Sequence, residues 1–192
     1  MDIDLGLVVQ IFVLLDPFAS FPFLISTYRR KMDVRIIALK AVLVAFLIAI
    51  TITFIGPSLF SIFGITLDSF RIAGGIVLLL LGIHMVNPTE EDTEFKEIHG
   101  LITIIATPLL TGPGTISFIT VKAYEIGQMA VAWNLCIAFI LVGLVFFLFS
   151  LLVTRINVTV VDIVSRVMGL FLSAVAIEMI AKGIEGIIRS VM

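Results

Sequence analysis

Asp16-Pro17-Phe18-Ala19-Ser20-Phe21-Pro22 interrupts the first hydrophobic segment of this chain. The pattern returns in the fourth hydrophobic segment as Thr107-Pro108-Leu109-Leu110-Thr111-Gly112-Pro113. We call these the first and second proline stretches. In each, a residue suited to a helix N-cap precedes a proline, and a hydroxyl residue and another proline follow at the same spacing. Because proline lacks a backbone N–H and crowds the preceding helical turn, the pattern predicts that both segments are broken helices.

The composition predicts an all-α integral membrane protein. Of the 192 residues, 60% are hydrophobic and 14% are charged, whereas soluble domains have about half apolar and about a quarter charged residues. A membrane-spanning helix needs about 20 mainly apolar residues, and six such segments use nearly the whole chain. Their predicted bounds are about 5–28, 36–63, 70–86, 98–121, 130–153 and 163–188. We therefore expect one transmembrane domain over 1–192 and no enzyme domain.

The distribution of lysine and arginine predicts the orientation of these six helices. Three basic residues, Arg29, Arg30 and Lys31, directly follow the first segment. Connections that face the cytoplasm carry an excess of Lys and Arg. The N-terminus lacks the basic region of a cleaved signal peptide, so we expect the first segment to be retained. We therefore expect a multi-pass membrane protein whose N-terminus and C-terminus both lie outside the cell.

The two proline stretches belong to an internal repeat. A weaker echo supports it, because Asp68 to Gly74 and Asp162 to Gly169 both read Asp, a short gap, then Arg-x-x-Gly. The predicted repeats cover about 1–90 and 98–192. Three helices per repeat is an odd number, so the second repeat would be inverted relative to the first. Inverted repeats with helices broken near mid-membrane are a common architecture of secondary transporters.

The broken helices also predict a binding site. Asp16 and Thr107 suit the N-cap position and Pro17 and Pro108 the first helical position, so a second half-helix would begin inside the membrane. A helix N-terminus attracts anions, and irregular backbone at membrane depth generally lines a cavity. A carboxylate at mid-span, as at Asp16, costs about 3 kcal/mol on insertion scales and suggests function. The structural alternative is that the prolines only kink helices for packing.

The predicted substrate-binding residues are the cap, hydroxyl, proline, aromatic and glycine positions of the two stretches: Asp16, Pro17, Ser20, Phe21, Thr107, Thr111, Gly112, Gly114, Thr115 and Ser117. Asp16 and Glu178 are the candidates for proton coupling, although the spacing of Glu178 to Lys182 favours a structural ion pair. The sequence has no catalytic residue set, no Walker motif, and no His or Cys spacing typical of a metal site. We therefore expect no enzyme activity, no cofactor, no metal and no nucleic-acid partner.

Three stretches, 15–24, 70–76 and 107–116, resemble the MarC family of bacterial and archaeal inner-membrane proteins. The resemblance covers essentially all of the chain. That family includes the small neutral amino acid transporter SnatA and is similar to the LysE group of exporters. The resemblance implies location in the prokaryotic inner (cell) membrane and transport of glycine, alanine or similar molecules.

Together these features predict a secondary transporter for small neutral amino acids that works by alternating access and is coupled to protons. In it, half-helix N-termini hold the substrate carboxylate, while Asp16 and freed backbone carbonyls hold the amino group. The alternatives are a channel or an exporter for other small solutes. The expected partners are the substrate and the lipid bilayer. Direction, stoichiometry and a homo-oligomeric state stay open.

Overall fold

The computed structural model describes residues 3–29, 31–87, 111–152 and 158–191, and within them the regular structure is helical. The elements, in chain order, are α1 (Leu5–Leu15), a short 3-10 helix (Pro17–Ser20), α2 (Phe21–Arg29), α3 (Val34–Phe63), α4 (Leu67–Val86), α5 (Pro113–Ile126), α6 (Gln128–Leu152) and α7 (Val158–Val191). The all-α prediction is confirmed. The first part of the fourth predicted segment, with Thr107 and Pro108, lies outside the described residues.

Within the described ranges, four helices are long and apolar enough to cross a membrane: Val34–Phe60, Leu67–Val86, Gln128–Leu152 and Thr159–Ser190. They correspond to predicted segments two, three, five and six. Large hydrophobic side chains such as Leu39, Leu80 and Ile140 remain exposed along them. Lipid tails are as apolar as these side chains, so this exposure suits a protein embedded in a bilayer.

The most extensive helix contact in the described part of the chain joins α4 to α7. A Cβ atom added to Gly82 would lie 2.8 Å from the carbonyl oxygen of Gly169, and one added to Gly75 would lie 2.9 Å from that of Ala176. Small residues allow membrane helices to approach this closely. Because Gly75 opposes Ala176 and Gly82 opposes Gly169, the residue numbers run in opposite directions. The two helices are therefore antiparallel.

A second antiparallel pair joins α3 to α6. The amide nitrogen Nε2 of Gln128 donates to the carbonyl oxygen of Phe54 at 2.9 Å. Further along, the ring centroids of Phe46 and Phe139 are 5.4 Å apart. Residue numbers fall on α3 as they rise on α6, so the two helices are antiparallel.

The first segment runs parallel to α6. The backbone N–H of Asp4 donates to Oδ1 of Asn134 at 3.0 Å, and the ring centroid of Phe21 lies 3.8 Å from that of Phe149. From the first contact to the second, residue numbers rise on both segments, from Asp4 to Phe21 and from Asn134 to Phe149. The first proline stretch is thereby held against the end of α6.

Candidate functional site

The first proline stretch begins where α1 ends. Asp16 is the C-cap of α1, in the left-handed region with φ 33° and ψ 71°, and its backbone N–H donates to the carbonyl oxygen of Val13 at 3.2 Å. Few non-glycine residues adopt positive φ, although Asp and Asn do so more readily than most. The predicted N-cap role of Asp16 is thus wrong, because the residue closes the preceding helix. Pro17 begins the 3-10 helix, and α2 follows only at Phe21.

The second proline of each stretch lies at the start of an α-helix. Pro22 is the second residue of α2, and Pro113 is the first residue of α5, after Gly112 as N-cap with φ −76° and ψ 174°. The missing proline N–H does no harm in a first helical turn. The predicted half-helices start at Pro17 and Pro108. The α-helix α2 begins at Phe21, four residues after Pro17, and α5 begins at Pro113, whereas Pro108 lies outside the described residues.

Hydroxyl groups in and just after the second proline stretch contact backbone of the first two predicted segments. Oγ1 of Thr115 donates to the carbonyl oxygen of Leu14 at 3.3 Å, and Oγ1 of Thr111 donates to that of Ala45 at 2.9 Å. Leu14 lies in the last turn of α1, where carbonyls lack a partner in a following helical turn. A hydroxyl just after the second proline stretch therefore satisfies a carbonyl near the interruption in the first.

Polar residues at this contact are buried. Asp16, Ser20, Thr111 and Thr115 are each less than a tenth exposed. The 3-10 helix that follows Asp16 packs against α7. We call the region around Leu14, Asp16 and Thr115 the polar junction, because α1 and α5 meet there in the interior of the protein.

Other predicted site residues make packing contacts. Phe21 stacks against Phe149. A Cβ added to Gly114 would lie 2.6 Å from Cδ2 of Leu78, so α4 occupies the space beside this glycine. Ser117 lies against Gly74, also on α4. Among the described residues, no atom lies within 4 Å of a Cβ added to Gly112, so Gly112 offers the more open backbone of the two glycines.

Glu178 lies at a different place, in a cavity of about 230 Å³. It forms the ion pair with Lys182 that its spacing predicts, at 3.1 Å. We call this the charged cavity, and its polar and charged lining residues are Gln10, Arg71, Lys122, Glu125, Glu178 and Lys182. Asp16 is not among the residues that line it. The two candidates for proton coupling therefore do not share this cavity.

A network of ion pairs forms one wall of the charged cavity. Arg71 pairs with Asp68 and with Glu125, each at 2.6 Å, and Lys122 pairs with Glu125 at 2.8 Å. Glu125 follows Val121, the predicted end of the fourth spanning segment. Burial alone would raise the pKa of its carboxyl group, but hydrogen bonds and charges of Lys122 and Arg71 hold that pKa below its ordinary value.

Gln10 and Glu125 line this cavity but are not among the site residues predicted from the sequence. The spacing of Lys122 and Glu125 is typical of a helical ion pair and was the available signal. The contact between Arg71 and Glu125 depends on helix packing, so no local pattern reveals it. Within the described ranges no group of three or more His, Cys, Asp or Glu residues is arranged to hold a metal ion.

Comparison with known protein families gives the family of this chain. The model of the family described as MarC family integral membrane protein matches residues 4–188. The chain belongs to the MarC family. The resemblance seen in the proline stretches is thereby confirmed, and the matched range includes both of them and the charged cavity.

The MarC relatives come from archaea and bacteria. The chain is 34% identical to the UPF0056 membrane protein MJ1677 of Methanocaldococcus jannaschii, over 92% of this chain and 93% of the relative. It is 30% identical to the UPF0056 membrane protein YhcE of Escherichia coli, over 93% of this chain and 90% of the relative. These names describe membrane proteins and specify no activity. No solved structure matches the chain.

Proposed function

We propose that this protein is a secondary transporter that moves small neutral amino acids, such as glycine and alanine, across the prokaryotic cell membrane by alternating access with proton coupling. The observation that carries the proposal is the hydrogen bond from Thr115 to Leu14 at the polar junction. It joins the end of one interrupted segment to the start of a helix from the other half of the chain. MarC membership supports a membrane protein of transporter type.

The helix directions support the inverted repeat. If the second half of the chain is inverted relative to the first, each helix should be antiparallel to its counterpart. The counterpart of α3 is α6, and that of α4 is α7. Both pairs are in direct contact and antiparallel. Two packed pairs with this relationship agree with a pseudo-two-fold axis in the membrane plane, as in many transporters.

The helix ends at the polar junction suit the two charged groups of an amino acid. The end of α1 presents backbone carbonyls and partial negative charge, and the start of α5 presents N–H groups and partial positive charge. The bond between Thr115 and Leu14 brings these unlike ends together. In the proposed site, the first turn of α5 holds the substrate carboxylate beside Gly112. The carbonyls at the end of α1 and the carboxylate of Asp16 hold the ammonium group.

The buried position of the junction suits a small substrate. Asp16 and Thr115 are 7% and 2% exposed, so a bound molecule must be reached by movement of the surrounding helices. Burying a carboxylate in a membrane protein is costly and by default suggests an ion or proton pathway. Proton binding to Asp16 would then alter how tightly the ammonium group is held, which couples the two fluxes.

Transport by purified protein in proteoliposomes tests the proposal. We expect alanine uptake that saturates, that exchanges external labelled alanine for internal unlabelled alanine, and that responds to an imposed proton gradient. Glycine and alanine should also raise the melting temperature of the detergent-solubilised protein, because a ligand that binds the folded state stabilises it. A flux that does not saturate, without exchange, would instead indicate a channel. If neither uptake nor stabilisation occurs with any amino acid, the substrate assignment is wrong.

A further inference from the structure

The charged cavity lies beside the polar junction, towards the start of α1. Its lining includes Gln10 on α1 and Lys122 on α5. An α-helix rises 1.5 Å per residue, so Gln10 is about 9 Å along the axis from Asp16, and Lys122 about 10 Å from Thr115. The cavity is therefore between one and two helical turns from the contact that defines the junction.

An apolar barrier separates the two places. Phe118 lies on α5 between Thr115 and Lys122, lines the cavity and is 2% exposed. The ammonium Nζ of Lys122 lies 5.8 Å from the centroid of its ring. Met179 on α7 also lines the cavity and is buried. In this conformation, a molecule in the cavity meets a phenyl ring and a thioether on the side of the junction.

The lining charges select for a ligand that carries both signs. Arg71, Lys122 and Lys182 are positive, while Glu125 and Glu178 are negative. A simple anion or cation would meet repulsion from one of these groups, whereas a zwitterion can direct each end to its opposite charge. The volume of about 230 Å³ corresponds to about eight water molecules at about 30 Å³ each. This space fits a small amino acid.

Within the cavity, one ion pair is much more accessible than the others. Arg71 and Glu125 are 17% and 19% exposed and pair with each other and with further charges. Glu178 and Lys182 are 65% and 51% exposed and, within the described ranges, form a salt bridge only with each other. Exposed ion pairs are weak because water solvates both partners. Glu178 and Lys182 can therefore exchange their mutual contact for contacts with a ligand at little cost.

We propose that the charged cavity is a second binding site for small zwitterionic amino acids, distinct from the polar junction. Lys182 binds the substrate carboxylate, Glu178 binds its ammonium group, and Phe118 closes the cavity towards the junction. Binding in the cavity raises the local concentration of substrate at a place one to two helical turns from the polar junction, which is the buried site that the substrate has to reach. This inference rests on the proposed function, since it assumes the same class of substrate.

Cysteine protection tests the proposal directly. Ala174 is an exposed lining residue, and Ala181 is an exposed residue of the same helix that is not among the lining residues. Each would be changed to cysteine in a Cys136→Ala background, and the rate of maleimide labelling measured with and without glycine. At a glycine concentration about twice the dissociation constant, labelling at 174 should slow about threefold, because the ligand-free fraction falls as 1/(1 + [L]/Kd). Labelling at 181 should not change.

Two further variants separate occupancy of the cavity from a conformational signal. In the Asp16→Asn background, which impairs the polar junction, protection at 174 should persist. In the double variant Glu178→Gln/Lys182→Gln it should be lost, although alanine still stabilises the protein through the junction. Glycinamide and acetate, which each carry one charge, should protect less than glycine.

Each contrary result has a separate meaning. Absence of protection at 174, in protein that takes up alanine with saturation, overturns the second site and leaves the proposed function intact. Protection that disappears in the Asp16→Asn background also overturns it, because the cavity would then only report binding at the junction. Absence of both uptake and protection removes the proposed function together with the second site.

Discussion

Oγ1 of Thr115 donates a hydrogen bond to the carbonyl oxygen of Leu14, across 3.3 Å and in the protein interior. The two residues are 101 positions apart in the chain, and each lies beside one of the two proline stretches. The bond uses a carbonyl at the C-terminal end of α1 that the helix itself cannot satisfy. Because α1 ends at Leu15, the carbonyl of Leu14 is free to accept a hydrogen bond from Thr115, which lies near the start of α5.

Replacing Thr115 with valine removes this bond while keeping the shape of the side chain. Loss of one buried hydrogen bond should lower the free energy of unfolding by about 1 kcal/mol, which corresponds to a fall in melting temperature of about 2 to 4 °C for a chain of this size. Thermal unfolding in detergent measures it. Thr120→Val is the matched control, because Thr120 is also buried but donates to Ile116 within its own helix. Equal losses in the two variants would show that the contact with Leu14 has no special role.

Asp16→Asn should abolish alanine uptake or uncouple it from the proton gradient. Asparagine tolerates the left-handed backbone conformation of Asp16 as well as aspartate does, so the fold should persist while the negative charge is lost. We expect uptake in proteoliposomes to fall by at least about tenfold, since buried carboxylates in membrane proteins are generally functional. Asp33→Asn, an exposed helix cap at the start of α3, is the control and should transport normally. Undiminished, proton-coupled uptake by the Asp16 variant would remove Asp16 from the mechanism.

Gly82→Ala should destabilise the protein through the contact between α4 and α7. The added Cβ would meet the side chain of Ser173 and lie 2.8 Å from the carbonyl oxygen of Gly169. Forcing an extra carbon into a packed interface costs about 1 to 3 kcal/mol. Gly143→Ala is the matched control, because no described atom lies within 4 Å of a Cβ added there. Denaturation midpoints compare the two, and a control as unstable as Gly82→Ala would contradict the proposed contact.

Glu125→Gln should lower the melting temperature at neutral pH because it removes the carboxylate that joins Arg71 and Lys122. The folded-state pKa of Glu125 is lowered from an ordinary value of 4.5. Its stabilising effect is therefore present above pH 4.5 and is lost as the pH falls through the lowered pKa. The difference between the wild type and the variant should shrink in that acidic range.

Glu185→Gln is the control for this pH dependence. Glu185 pairs with Arg189 on the surface of α7, and both side chains are more than half exposed. Exposed pairs contribute about 0 to 1 kcal/mol, so the control should change the melting temperature little at any pH. A difference at Glu125 that does not depend on pH would contradict the role assigned to its charge.

Much of the fold was predictable because apolar run length is a property of the local sequence. α3, α4, α6 and α7 begin two to five residues before the predicted starts of segments two, three, five and six. The end of α1 just before Pro17 agrees with the predicted effect of proline on its own helical turn, while the break in the fourth segment and the position of both breaks near mid-membrane stay predictions. The inverted repeat stays a prediction, supported by the helix directions.

Less of the candidate site was predictable, because it depends on contacts between distant residues. The sequence suggested that Asp16 caps a following helix, whereas its left-handed conformation ends the preceding one. The pair Gly112 and Gly114 suggested open backbone, but Leu78 fills the space beside Gly114. Glu125 was overlooked because its partner Arg71 is on another helix. In each case the local sequence shows which residue is present. The groups that it contacts depend on how distant helices pack together.

The glycine contact between α4 and α7 also limits how the molecule can move. At Gly82 and Gly169 the two main chains approach closely, and the side chains of Ser173 and Met85 pack directly beside the contact, so little space is left for sliding. The two helices belong to different predicted repeats. We expect them to act as a fixed pivot, so that rotation of one repeat against the other opens and closes the protein at the far ends of this contact. The aromatic contacts between α3 and α6 would then shift most during a transport cycle.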